Sequence, residues 1–206
     1  MQTNSLIALI KREAPDWTRA EILDLVADVQ LIMLSKPLQR NRMIDTDTGL
    51  DPVLTTTSGT YSYYINTSNG FDYDALFIES VYSTASPETS YNYDESIEID
   101  GTDVYTFPGN RDNAAQVIFK DNPSGDYYIR CYRKPDTVST QYTNLMIPEW
   151  WHFKGVRVGV LGMIELVEHG TSKNWDQFEQ KVLPQFHSEM NMSAGTLGWK
   201  VGSRGY

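Results

Sequence analysis

The sequence predicts an α+β protein: a helical bundle built from N- and C-terminal helices, a central antiparallel β insertion, and an extended C-terminal arm. Three observations lead there. A capped helix start with a helical apolar period stands near the N-terminus. The texture changes near residue 52 to Thr, Tyr, Val and Ile broken by turn pairs. Helical patterning returns after Pro148. The expected division is residues 1–44 and 136–192 for one helical body, 45–135 for the inserted β domain, and 193–206 for the arm.

Residues 5–13 read as a short helix, with Leu6, Ile7, Leu9 and Ile10 apolar and Pro15 as its stop. Thr18 and Glu21 then form a capping-box pair, in which the Thr hydroxyl takes an amide of the first turn and the Glu reaches back to the cap. Trp17 and Ile22 stand at hydrophobic-staple spacing. Ile22, Leu25, Val26, Val29, Ile32 and Met33 follow on one face until Pro37.

Turn signals in the middle of the chain are Ser58-Gly59, Asn69-Gly70, Asp100-Gly101, Pro108-Gly109 and Ser124-Gly125. Ile97 and Ile99 before Asp100-Gly101, with Val104 and Tyr105 after it, predict a hairpin. Val117–Phe119 followed by Tyr127–Tyr132 predict a second.

Residues 149–169 are apolar on most sides. The alternation of Val156, Val158 and Val160 fits a strand, but the length favours a helix. On that helix Gly155, Gly159 and Gly162 fall on one stripe, where small residues let another helix approach closely, in the same subunit or the next. A last helix is expected over 173–190, with Trp175, Phe178, Val182 and Phe186 on one face and Pro184 as a kink. The tail has Gly195, Gly198, Gly202 and Gly205, two cations and no acid; it has no packing period and reads as an arm, with Trp199 and Tyr206 as anchors for a partner.

Composition narrows the function. Hydrophobic residues at 40% and aromatics at 12% suffice for a core. Net charge −10 argues against a general nucleic-acid grip, which needs clustered Lys and Arg. Between Arg42 and Arg111 there are twelve carboxylates and no Lys or Arg, so the chain is close to +2 outside that block. Cys131 is the only cysteine, which excludes an intrachain disulfide and a Cys-based zinc site. No signal peptide or membrane span is legible, so a chain made in a reducing cytoplasm is expected. The sequon Asn66-Thr67-Ser68 is then a chance match.

Catalytic constellations are weak. There is no Gly-x-Ser-x-Gly elbow, phosphate-binding Gly loop or His-Glu-x-x-His. Glu165, Glu168 and His169 lie within one helical turn and can be read as metal ligands, or as a solvated helix end with His169 near the negative dipole. His152 beside Trp150 and Trp151 reads as a packed or interface histidine. Acids from Asp94 to Asp103 lack the spacing of a calcium loop and read as a solvated face. A pair of these acids serving a hydrolase is the least favoured reading. No enzyme activity and no cofactor are expected.

Four stretches, in this order, carry a family resemblance. They are LIALIKREAPDWTRAEILDLVADVQ, TTTSGTYSYYI at 55–65, VIFKDNPSGDYYIRCYRKP at 117–135, and MIPEWWHFKGVRVGVLGMIEL. Together they resemble the head–tail connectors, or portal-to-tail adaptors, of tailed phages, over most of the chain from Leu6 to about Met190. Departures are Trp150-Trp151 in place of a Tyr-rich pair, Pro184 in the last helix, and a long acidic β segment.

The resemblance implies a virion protein of the neck: a ring, usually of twelve copies, under the phage portal protein and above a tail or nozzle protein. Genome DNA passes through it without specific binding. It implies an arm laid on the portal, which involves Gly195, Leu197, Trp199, Lys200, Arg204 and Tyr206, and helices facing neighbouring subunits, which involves Trp150, Trp151, Gly155, Gly159 and Gly162. Asp94, Glu95, Glu98, Asp100 and Asp103 then face either the DNA channel or the outer wall. The competing class is a receptor- or carbohydrate-binding β module that stacks sugars on Tyr61, Tyr63, Tyr64, Tyr91 and Tyr93; helices at both ends argue against it.

Overall fold

The computed structural model describes residues 3–35, 41–45, 47–83, 97–99, 102–123, 125–138, 140 and 143–190. It is a mixed helix-and-sheet structure of two compact units. The first joins Met1–Lys36 to Pro135–Tyr206, and the second is Pro37–Lys134. A proline opens the chain on the far side of each junction.

In the first unit, α1 (Thr3–Glu13) buries Leu6, Ile7 and Ile10 completely. α2 (Arg19–Met33) starts at the predicted capping box. The Glu21 amide donates to Thr18 Oγ1 at 3.2 Å, and the Thr18 amide donates to Glu21 Oε2 at 2.7 Å. Two otherwise orphaned amides are thereby satisfied, which fixes where the helix begins. Ile22, Val26, Val29 and Met33 are its inner face. Gln30 is buried beside them, and its Oε1 accepts the Met146 amide at 2.7 Å.

Residues 149–169 are helical, so length rather than the Val alternation decides there. The helix runs through α3 (Glu149–Trp151), a π turn (His152–Val156) and α4 (Arg157–His169). Gly170 ends it in the left-handed region at φ 71°, its amide donating to Leu166 O. α5 (Lys173–Gln177) begins at Ser172, whose hydroxyl takes the Trp175 amide at 2.8 Å. A second π turn (Phe178–Val182) leads into helical residues 183–190. It stands just before Pro184, the residue with no amide to donate, where a widened ladder absorbs the missing bond.

The second unit holds two antiparallel sheets. One has β1 (Val53–Thr55), β7 (Asp126–Arg133) and β3 (Ala75–Ser83) in that order. The other has β2 (Ser62–Tyr64), β6 (Gln116–Phe119), β5 (Thr102–Phe107) and β4 (Ile97–Ile99). Leu54, Ile78, Ile129 and Cys131 from the first sheet share a buried cluster with Tyr63, Val104, Val117 and Phe119 from the second. Residues 41–44, which the sequence reading placed with the helices, lie in this unit. The Met43 amide donates to Cys131 O at 2.9 Å and its side chain joins the cluster.

The Asp100-Gly101 hairpin forms, with Ile97 opposite Val104 and Ile99 opposite Thr102. The second predicted hairpin does not. β6 pairs with β2 and β5, whereas β7 pairs with β1 and β3. Both edges of each strand are therefore taken, and the connection crosses between sheets. Gly125 allows the crossing at φ 113°, a region closed to most side chains, and its carbonyl accepts the Thr56 amide.

Candidate functional site

On the first π turn and α4 the glycine stripe meets helices of its own chain. A Cβ on Gly155 would stand 2.9 Å from Met33 Cε. One on Gly159 would stand 2.8 Å from Val29 Cγ1 and 3.0 Å from Phe178 Cε2. One on Gly162 would stand 2.6 Å from the Trp175 nitrogen. Trp151, 1% exposed, packs edge-on to Phe186 at 5.2 Å. These four positions, expected at a subunit interface, are taken up inside the first unit rather than left at its surface. The reason is that α2 and the 173–190 segment need the close approach that glycines permit.

Trp150 is different: it is 63% exposed, and Phe153, three residues on, is 53% exposed. The Arg157 guanidinium lies 4.8 Å from the Phe153 ring centre and pairs with Glu13. Lys154 lies 3.9 Å over the Trp151 ring and pairs with Glu189. The surface stripe is therefore aromatic with neutralised cations at its edge. Sequence reasoning missed Phe153 because it read Trp150 and Trp151 as a pair; adjacent helical positions point about 100° apart.

Glu165 and Glu168 have separate hydrogen-bond partners, and His169 stands beside Glu168. Glu165 accepts from Ser172 Oγ at 2.6 Å and from the Asn174 side chain. The Ser172 bond, joined by those of Asn174, holds its carboxyl below the usual value against a smaller opposing effect of burial. Glu168 accepts from Trp17 Nε1 at 2.6 Å. His169 is exposed, 3.7 Å from Glu168. With Glu13, Asp16 and Asn174 they line a cleft of about 380 Å³. Among the described residues no group of three or more His, Cys, Asp or Glu is placed to hold a metal ion. His152 is buried, its Nε2 2.8 Å from Ile147 O; His187, not singled out from sequence, likewise sits 2.9 Å from Met33 O.

In the second unit Asp51 is set apart from the rest of the acidic block. It is 2% exposed and holds four contacts. Arg42 donates through Nε at 2.9 Å and Nη2 at 2.6 Å, Tyr82 OH at 2.7 Å, and Arg130 Nε at 3.3 Å. Burial and then Asp51 push the Tyr82 hydroxyl up to about 12. Beside it Tyr132 OH donates to Glu79 at 2.6 Å, and burial followed by that bond raises Tyr132 as well. Burial also raises the Cys131 thiol, which removes it as a nucleophile. Nothing in the spacing of Asp51 marked it, because both arginines reach it only through the fold.

The outer face of the second sheet is aromatic. Register places Tyr64, Gln116 and Phe107 in one row, and Ser62, Ile118 and Tyr105 in the next. Tyr64, Phe107 and Tyr105 are exposed, as is Tyr61. Tyr63 points inward and its hydroxyl bonds Thr57 and Thr60, so it cannot stack on a ligand. Tyr91 and Tyr93 lie outside the described residues, as do Asp94, Glu95 and Asp100. Glu98 and Asp103 are register partners between β4 and β5. Gly195, Leu197, Trp199, Lys200, Arg204 and Tyr206 also lie outside the described residues. Among the described residues no helix is long and apolar enough to cross a membrane. No protein-family model matches the chain, and no curated protein matches it significantly.

Proposed function

We propose that this chain is a structural head-to-tail adaptor of a tailed phage, which forms a ring between portal and tail and conducts the genome. The observation that carries the reading is the ordered resemblance from Leu6 to about Met190. The division of the chain supports it: the two chain ends make one helical unit, and the middle makes a separate β unit. In this reading the first unit is the helical bundle of the ring body. Residues 193–206 are the arm that takes the portal, and Trp150 with Phe153 meets a neighbouring subunit. The role is assembly, with no catalytic step and no cofactor.

Electron microscopy of the purified protein mixed with portal tests the reading. Rings seated on the portal are expected, and a monomer that leaves the portal bare would sink it. The acidic block is placed by changing Glu98 and Asp103 to Lys in the phage. Stalled genome ejection puts those positions at the DNA channel, since carboxylates repel phosphate over about a Debye length of roughly 8 Å. Loss of solubility alone puts them on the outer wall.

The second reading, a receptor- or carbohydrate-binding β module of a virion, is favoured by one observation: the exposed row of Tyr64 and Phe107 with Gln116 between them. Aromatic faces flanking an amide suit a neutral sugar. Glycan-array binding that Tyr64→Ala and Phe107→Ala both abolish would carry it over the connector.

A further inference from the structure

The chain has one Asn-Gly pair, Asn69-Gly70, and it closes the 3₁₀ turn Thr67–Asn69 that follows β2. We propose that Asn69 is a site of spontaneous deamidation, and that its conversion abolishes the hydrogen bond tying this turn to the end of β2.

Local structure leaves the reaction open. Asn69 and Gly70 are both exposed. Gly70 sits at φ 87°, and no atom lies within 4 Å of where a Cβ on it would stand, so nothing packs over that side of the glycine. The Gly70 amide donates only to Thr67 O, at a long 3.3 Å. Other described asparagines are worse placed. Asn66 precedes a β-branched threonine, whose side chain crowds the attacking nitrogen. Asn122 precedes Pro123, which has no amide to attack with.

The step balances without any oxidant or reductant. The Gly70 backbone nitrogen gives its proton to solvent base and attacks Asn69 Cγ. The Cγ–Nδ2 bond breaks and Nδ2 leaves as ammonia. Water then opens the cyclic imide at Cγ to give aspartate, or at the backbone carbonyl to give a β-linked isoaspartate.

The product matters because of what Asn69 does. Its Nδ2 donates to the Tyr64 carbonyl at 2.7 Å. A carboxylate there has no proton to give and sets an oxygen against an oxygen. Asp74 already stands at the same turn, accepting the Thr67 amide at 3.1 Å, so a second charge adds repulsion. β2 is a three-residue edge strand paired only with β6; past it Ile65 is buried and bonded to Ala115 and Ala75, so the Asn69 bond is the turn's own tie to the Tyr64 carbonyl. Conversion therefore loosens the Asn66–Gly70 turn beside Tyr64, a member of the exposed aromatic row, while Ile65 keeps the strand in place.

The test incubates the full chain in mildly alkaline buffer and follows it by peptide mapping, ion exchange and isoaspartyl labelling. Asn69 is expected to convert first, with a shift to the acidic side that Asn69→Gln removes. An intact Asn69 while another asparagine converts overturns the assignment. For the consequence, Asn69→Asp is compared with the parent by amide hydrogen exchange. Faster exchange in the Asn66–Gly70 turn is expected, and unchanged exchange overturns the switch.

Discussion

Gly162 lies against the backbone of Trp175, so close that a Cβ on Gly162 would stand 2.8 Å from the Trp175 Cα. The neighbour here is main chain, which cannot rotate away. Gly162→Ala is therefore expected to destabilise the protein by about 1–3 kcal/mol, read as a fall in the urea midpoint. Gly155→Ala should cost less, because its nearest neighbour is the flexible end of Met33. Gly159→Leu, pressed on Val29 and Phe178, should fall in the same 1–3 kcal/mol range or above. Equal stability of Gly162→Ala and the parent would contradict the packing.

Asp51→Asn should leave Arg42 and Arg130 beside a neutral amide. Losing one partner of a buried ion pair costs about 3–5 kcal/mol, and the low end applies because both guanidiniums reach solvent. Surface acids such as Asp72 should change stability by less than about 0.5 kcal/mol when neutralised. Denaturant melts of the two variants separate an internal acid from the solvated remainder of the block.

The Glu165 carboxylate anchors Ser172, which caps α5, so its ionisation is coupled to that helix start. Its folded pKa is depressed, so its contribution is present above the ordinary glutamate range and is lost as pH falls through the folded value. Glu165→Gln should thus be less stable than the parent near neutrality, and the gap should close on acidification. A gap that stays constant or widens toward low pH would mean the carboxylate is not what Ser172 needs.

How much of this was legible follows from how local each signal is. The start of α2 and the Asp100-Gly101 hairpin were readable because Thr18, Glu21 and the turn pair act on near neighbours. The partner of β7 was not, because strand pairing between β7 and β3 is decided by burial on both faces of a distant strand. The glycine stripe was legible as a close approach, but its partners, Val29, Phe178 and Trp175, come from both ends of the chain. The Asp51 cluster left no trace in spacing at all: Arg130 is remote in sequence and is brought in only by the β1–β7 pairing.

Removing residues 193–206 should leave the described fold intact, since residues 3–190 already supply a filled core to each unit. Under the connector reading the truncated chain should lose portal binding. A truncated chain that binds the portal as the parent does would remove the arm from that reading.

Trp150 and Trp151 differ in what each side chain can lose. Trp151 is enclosed by Phe186, Gly155 and Lys154, so Trp151→Ala leaves a cavity and should cost about 3–5 kcal/mol whether or not a partner is present. Trp150 has most of its surface in water, so Trp150→Ala has little intrachain packing to lose. Its effect should appear only on assembly, where a large exposed aromatic beside Phe153 is the kind of residue that anchors an interface. The double change Trp150→Ala with Phe153→Ala should melt within about 0.5 kcal/mol of the parent. Light scattering of that variant, with and without portal, reads the other half. A folded chain that no longer forms the oligomer makes this stripe the subunit contact. A folded chain that assembles like the parent assigns the contact elsewhere and leaves Trp150 an ordinary exposed side chain.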